Sequence, residues 1–98
     1  MTATIAHFIN GQDAFGNGTR STEVFNPASG SVTGRVALAD KGDVEAAIAS
    51  AQAAFPAWAA TTPLARSRVM FKFRQLLETH ADEIALAITH EHGKVFSD

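Results

Sequence analysis

The hydropathy period changes abruptly near Leu38, and no other feature of the sequence constrains the fold as strongly. Between His7 and Leu38 the turn signals come too often for helices: Asn10-Gly11, Gly16-Asn17-Gly18, Asn26-Pro27-Ala28-Ser29-Gly30 and Gly34. His7-Phe8-Ile9 running into Asn10-Gly11 predicts a short hairpin with a type I′ turn, because Asn and Gly tolerate positive φ at both central positions. A second, firmer hairpin is expected from Thr22-Glu23-Val24-Phe25 and the run Ser31 to Leu38. They flank a turn whose Pro27 presets φ and whose Gly30 supplies a left-handed residue.

After Leu38 the apolar residues recur at helical spacing. Asp40 reads as an N-cap with Asp43 three residues on, and Val44, Ala47, Ile48, Ala51 and Phe55 form one stripe, predicting a helix of three or four turns. Pro56 should stop that helix and leave Trp58 beyond it. Thr62-Pro63 opens a second helix with the stripe Val69, Met70, Phe73, Leu76 and Leu77. The phase shifts at His80-Ala81-Asp82, and Ile84, Ala87 and Ile88 mark a third helical piece ending at Gly93. The expected fold class is mixed α/β: two antiparallel hairpins over about 7–38, then two to three amphipathic helices over about 41–93.

Composition narrows the function. The chain has 98 residues, and its 46% hydrophobic content suits a globular domain rather than a disordered tail. Much of that fraction is Ala, so a core must rest on the larger Phe, Leu, Ile and Val side chains, and a lone fold would be marginal. A net charge of −2 offers no broad positive field for nucleic acid or an acidic membrane. Without a basic n-region, a long apolar run or a membrane span, the chain reads as cytoplasmic. The absence of Cys removes disulfides, thiolate metal sites and a cysteine nucleophile.

Each candidate site has a plainer reading. His90-Glu91-His92 puts its histidines roughly 200° apart on a helix, which does not suit a zinc site. Gly16-Asn17-Gly18-Thr19-Arg20-Ser21 lacks the last Gly and the strand-loop-helix setting of a phosphate cradle, so it reads as a surface loop. Asn17-Gly18-Thr19 matches the glycosylation sequon but has no secretory signal ahead of it. Arg66, Arg68, Lys72 and Arg74 read as a solvated or interface face of the second helix, and the apolar stripe from Val69 to Leu77 as core. Ser67, His80 and Glu83 make a nucleophile-base-acid set only on paper. No catalytic, cofactor-binding or metal-binding residue is assigned.

Several of these strings, taken in order, carry a resemblance. Phe8-Ile9-Asn10-Gly11-Gln12, Val24-Phe25-Asn26-Pro27-Ala28-Ser29-Gly30, Gly34-Arg35-Val36 and Val44 to Phe55 with Trp58 resemble the amino-terminal segment of aldehyde dehydrogenases. Pro63 to Lys72 and Ile88-Thr89-His90-Glu91-His92-Gly93-Lys94 look most like the CoA-acylating methylmalonate-semialdehyde branch. The resemblance runs from Phe8 to Lys94, and so over nearly all of the chain.

The resemblance implies that residues 1–98 are an incomplete, amino-terminal portion of the family's NAD-binding domain. In the family the cysteine nucleophile, the general-base glutamate, the oxyanion asparagine and the NAD-binding strand-loop-helix all lie downstream. The implied parent is an NAD- and CoA-dependent homo-oligomer oxidising a small semialdehyde to an acyl-CoA, with no activity expected from these residues alone. The resemblance also implies a partial echo of a monovalent-cation site, with backbone carbonyls near Val24-Phe25 and the carboxylate of Glu91. Two alternatives stay open: a non-catalytic helical module that self-associates or docks on a full-length relative, and an unrelated small domain, which would need a self-contained core.

Overall fold

The computed structural model describes residues 3–98. Its elements are β1 (Ala3–Ile5), β2 (His7–Ile9), β3 (Gln12–Ala14), β4 (Ser21–Phe25), β5 (Val32–Ala37), α1 (Lys41–Ala60), α2 (Pro63–Thr79) and α3 (Ala81–His92).

Both expected hairpins form. β2 and β3 pair antiparallel with Ile9 opposite Gln12, and Asn10 and Gly11 sit between them at φ 54° and 74°, as a type I′ turn demands. β4 and β5 pair antiparallel around a turn in which the Asn26 side chain accepts hydrogen bonds from the Ala28 and Ser29 N–H groups at 2.8 and 3.3 Å. A bulge lies between Val24 and Phe25, and the Thr33 hydroxyl donates to the Val24 carbonyl at 3.2 Å.

The two hairpins do not complete the sheet. β1 pairs parallel with β5, giving a three-stranded sheet in the order β1-β5-β4. Gly34 makes this possible, since a Cβ there would stand 2.9 Å from the Ala3 carbonyl oxygen. In the sequence Gly34 reads as a break in a β-prone run; in the fold it is the point where two backbones approach closely.

The helical half corrects one expectation. α1 does not stop at Pro56 but runs 20 residues to Ala60, with Trp58 inside its last turn. Proline removes one N–H, and here the surrounding Ala53, Ala54, Ala57, Ala59 and Ala60 are strong helix formers that carry the helix past the defect. The end comes at Thr61, whose N–H bonds the Ala57 and Trp58 carbonyls and whose hydroxyl donates to the Ala57 carbonyl at 2.8 Å. Pro56→Ala should therefore strengthen the last turns of α1, by at most about 3 kcal/mol, read as deeper ellipticity at 222 nm. Unchanged ellipticity would place the real helix end before Pro56.

The other boundaries fall where the sequence sets them. Asp40 and Asp43 form a reciprocal capping box, the Thr62 hydroxyl accepts from the Ala65 N–H at 3.2 Å, and Gly93 closes α3 at φ 81°. His80 ends α2 and precedes α3, accounting for the phase shift.

The expected core is missing: among the described residues no hydrophobic side chain is buried. Large apolar residues stand open on seven elements, including Ile5, Phe8, Phe25, Val32, Ile48, Phe73 and Ile84. The molecule is a slab of 48 × 38 × 17 Å with a radius of gyration of 17.3 Å, against about 13 Å for a compact domain of this length. Its accessible surface is 7867 Å², some 2,500 Å² above the roughly 5,400 Å² expected for a folded chain of this mass. The self-contained small domain is excluded, because a stable fold needs its apolar faces packed against a second layer.

Candidate functional site

The one buried side chain among the described residues is Asp43, at 7% exposure. Its carboxylate lies where the loop after β3 meets the first turn of α1. Oδ1 accepts the Asn17 N–H at 2.9 Å, and Oδ2 accepts the Asp40 N–H at 3.0 Å and the Gly18 N–H at 3.3 Å. In return the Asp43 N–H donates to Asp40 Oδ1 at 2.8 Å. The Asp40 N–H, then the Asn17 N–H, hold the Asp43 carboxyl below the usual aspartate range, against the opposing effect of burial. Since the folded value is the lower one, the stabilisation is complete above the ordinary value of 3.8 and is lost as pH falls through the lowered value.

Gly16-Asn17-Gly18 is thus a surface loop, as its sequence suggests, but its amides are already spent on a carboxylate of the same chain. A dinucleotide pyrophosphate needs free N–H groups at a glycine-rich turn, and this loop does not fit it. In the sequence Asp43 is visible as half of a capping box, whereas its grip on residues 17 and 18 joins positions about 25 apart and has no local signal.

The other candidates separate. The Ser67 hydroxyl donates to the Leu64 carbonyl at 2.6 Å within α2, while His80 Nδ1 lies 3.1 Å from Glu83 Oε1 at the start of α3. Thirteen residue steps of helix, roughly 20 Å, separate Ser67 from His80, so no nucleophile-base pair forms. His90 and Glu91 line a cleft of about 300 Å³ with Val24, Thr33 and Gly34. The structure thereby brings together the two positions of the cation echo, Val24 and Glu91. Phe25 is not part of the lining, and the Val24 carbonyl already accepts the Thr33 hydroxyl. One carboxylate and one engaged carbonyl are too few oxygens to hold a cation. Among the described residues no group of three or more His, Cys, Asp or Glu could hold a metal ion.

The basic residues on α2 are solvated or edge an apolar groove: Arg74 pairs with Glu78 at 3.0 Å, and Arg68 and Lys72 flank Val69, Phe73 and Leu76. That stripe, which reads as core in the sequence, is 42–55% exposed at every member, because nothing among the described residues covers it. A second open groove, about 430 Å³, lies between His7 and Ile9 of the first hairpin and Val44, Ala47, Ile48 and Ala51 of α1. Among the described residues no helix is long and apolar enough to cross a membrane.

Strand-rich start, long helices and apolar faces that need covering describe the edge of a larger α/β domain. The chain belongs to the aldehyde dehydrogenase family, whose model matches residues 15–98. It is 45% identical over 95 residues to malonate-semialdehyde dehydrogenase of Pseudomonas aeruginosa, covering 97% of this chain and 19% of the relative. It is 41% identical to the human mitochondrial acylating methylmalonate-semialdehyde/malonate-semialdehyde dehydrogenase, covering 97% of this chain and 18% of that protein. A crystal structure from Sinorhizobium meliloti, assigned as a methylmalonate-semialdehyde dehydrogenase and solved with NAD, superposes with a TM-score of 0.97 at 47% identity. That superposition takes in 100% of this chain and 20% of the other. The chain therefore spans about a fifth of the length of the relatives it matches.

Proposed function

We propose that these residues supply the amino-terminal part of an NAD-dependent, CoA-acylating semialdehyde dehydrogenase acting on malonate or methylmalonate semialdehyde. The observation that carries this reading is the superposition over the whole chain on a fifth of an NAD-bound relative, with apolar faces left open. In the complete reaction a cysteine thiolate adds to the aldehyde, hydride leaves to NAD, and the resulting thioester passes to CoA with loss of CO2. These 98 residues contain no Cys, so the nucleophile is not theirs, and their glycine-rich loop is engaged by Asp43. Their part is structural: strands and helices that flank the cofactor domain and take part in a homo-oligomer.

A self-associating helical module would use one patch on each copy. The open apolar residues are instead spread over seven elements, which favours cover by a much larger body. The test is a chimera in which residues 1–98 replace the matching fifth of the Pseudomonas aeruginosa enzyme. CoA-dependent NADH formation from malonate semialdehyde is the expected result, with none from the 98-residue chain alone. Turnover by the isolated chain, or a folded chimera without activity, would overturn the reading.

A further inference from the structure

Within these residues the groove between the first hairpin and α1 is open, at about 430 Å³, and the hydrogen bonds that tie the loop after β3 to α1 are made to one carboxylate. We propose that the Asp43 carboxylate is a charge-dependent clasp that fastens the loop following β3 to the amino terminus of α1 and so fixes the hairpin over that helix. The clasp is a property of these 98 residues whichever chemistry they serve.

Three observations support it. The carboxylate takes N–H groups from two segments far apart in the chain, Asn17 and Gly18 on one side and Asp40 on the other. The loop closes on it without slack: a Cβ at Gly16, which has φ 73°, would stand 2.6 Å from the carboxylate, and one at Gly18 would stand 2.4 Å from the Leu38 carbonyl oxygen. All three partners are donors placed at a helix N-terminus, an arrangement that suits an anion, since charge-assisted bonds are about twice as strong as neutral ones. An amide of the same shape would turn its NH2 toward an N–H and leave donors unpaired.

The charged and titratable neighbours are few. On α1's own approach Asp40 receives the Asp43 N–H; on β2, His7 lines the same groove, and its Nε2 is buried without a partner. Lys41 is turned to Glu45 at 3.6 Å, and the loop residues Gly16, Asn17 and Gly18 carry no charge.

The clasp is read by NMR on the folded chimera, labelled with 15N at Asn and Gly. The Asn17 and Gly18 amides should be protected from exchange and should share one titration midpoint, below the ordinary aspartate value. Asp43→Asn should speed their exchange on the order of tenfold and abolish the shared titration, while the Asn10-Gly11 turn amides stay as they were. Random-coil exchange at Asn17 and Gly18 in the otherwise unmodified chimera would overturn the proposal, as would equal protection in Asp43→Asn, which would make shape rather than charge the cause. Because the titration is read on the chimera with Asp43 in place, flat shifts there overturn it even if the variant does not fold.

Discussion

In dilute solution the 98-residue chain by itself should show no cooperative melting transition and should bind a dye that reports exposed apolar surface. A two-state domain of this length absorbs about 70 kcal/mol at its midpoint near 60 °C, and that heat comes from a packed interior. Here no hydrophobic side chain is buried among the described residues, and Phe8, Phe55, Phe71 and Val95 are each about two-thirds exposed or more. What remains is strand pairing, helix propensity, caps and ion pairs. The pairs are exposed, such as Lys41 with Glu45 at 89% and 65%, and are each worth about 0–1 kcal/mol. Against them stands the ordering cost of about 1–2 kcal/mol per residue. Scanning calorimetry on a monomer verified by sedimentation checks this. A sharp transition with equal calorimetric and van't Hoff enthalpies and no dye binding would show a core that the structure lacks. A melt that sharpens with concentration would assign part of the missing cover to a second copy.

The second large effect is expected at Phe73. In the chimera, Phe73→Asp should abolish soluble active enzyme, at a cost on the order of 5 kcal/mol or more, combining lost aromatic burial with a carboxylate in an apolar contact. Phe73 lies at the centre of the α2 groove with Val69 and Leu76, and at 52% exposure it has half its surface to give to a covering layer. In the isolated chain the same substitution should leave the far-UV spectrum unchanged, because solvent already meets the side chain. Glu78→Gln is the control: it removes the exposed Arg74–Glu78 pair and should cost within about 1 kcal/mol. A Phe73→Asp chimera with unaltered melting temperature and kcat/KM would mean that the α2 face is solvated in the complete enzyme.

Much of the local structure was legible because short-range physics decides it. Asn10-Gly11, Asn26 to Gly30, Asp40 with Asp43, Thr62-Pro63 and Gly93 each satisfy backbone groups within a few residues, and each marks the turn or helix end it predicts. Pro56 is a poor guide to the helix end, since the alanines around it outweigh its single-residue penalty over two turns. β1 has no turn that ties it to β5; its parallel pairing depends on a contact between Ala3 and Gly34, about thirty residues apart. The separation of the Ser67, His80 and Glu83 candidates is not legible in spacing alone: Ser67 and His80 stay at opposite ends of α2, and His90 and Glu91 line a cleft with a single carboxylate.

The sequence by itself determined the strand-then-helix order, the caps and turns, the apolar stripes and, through ordered strings of residues, the family. These follow from interactions spanning a few residues, or from patterns preserved along the chain. Only the tertiary structure decided that the stripes face outward, that β1 completes a parallel pair, and that Asp43 reaches the amides of Asn17 and Gly18. An apolar stripe states that a face requires a partner, but whether the partner lies within the same 98 residues is a question of enclosed volume, and no periodicity encodes it.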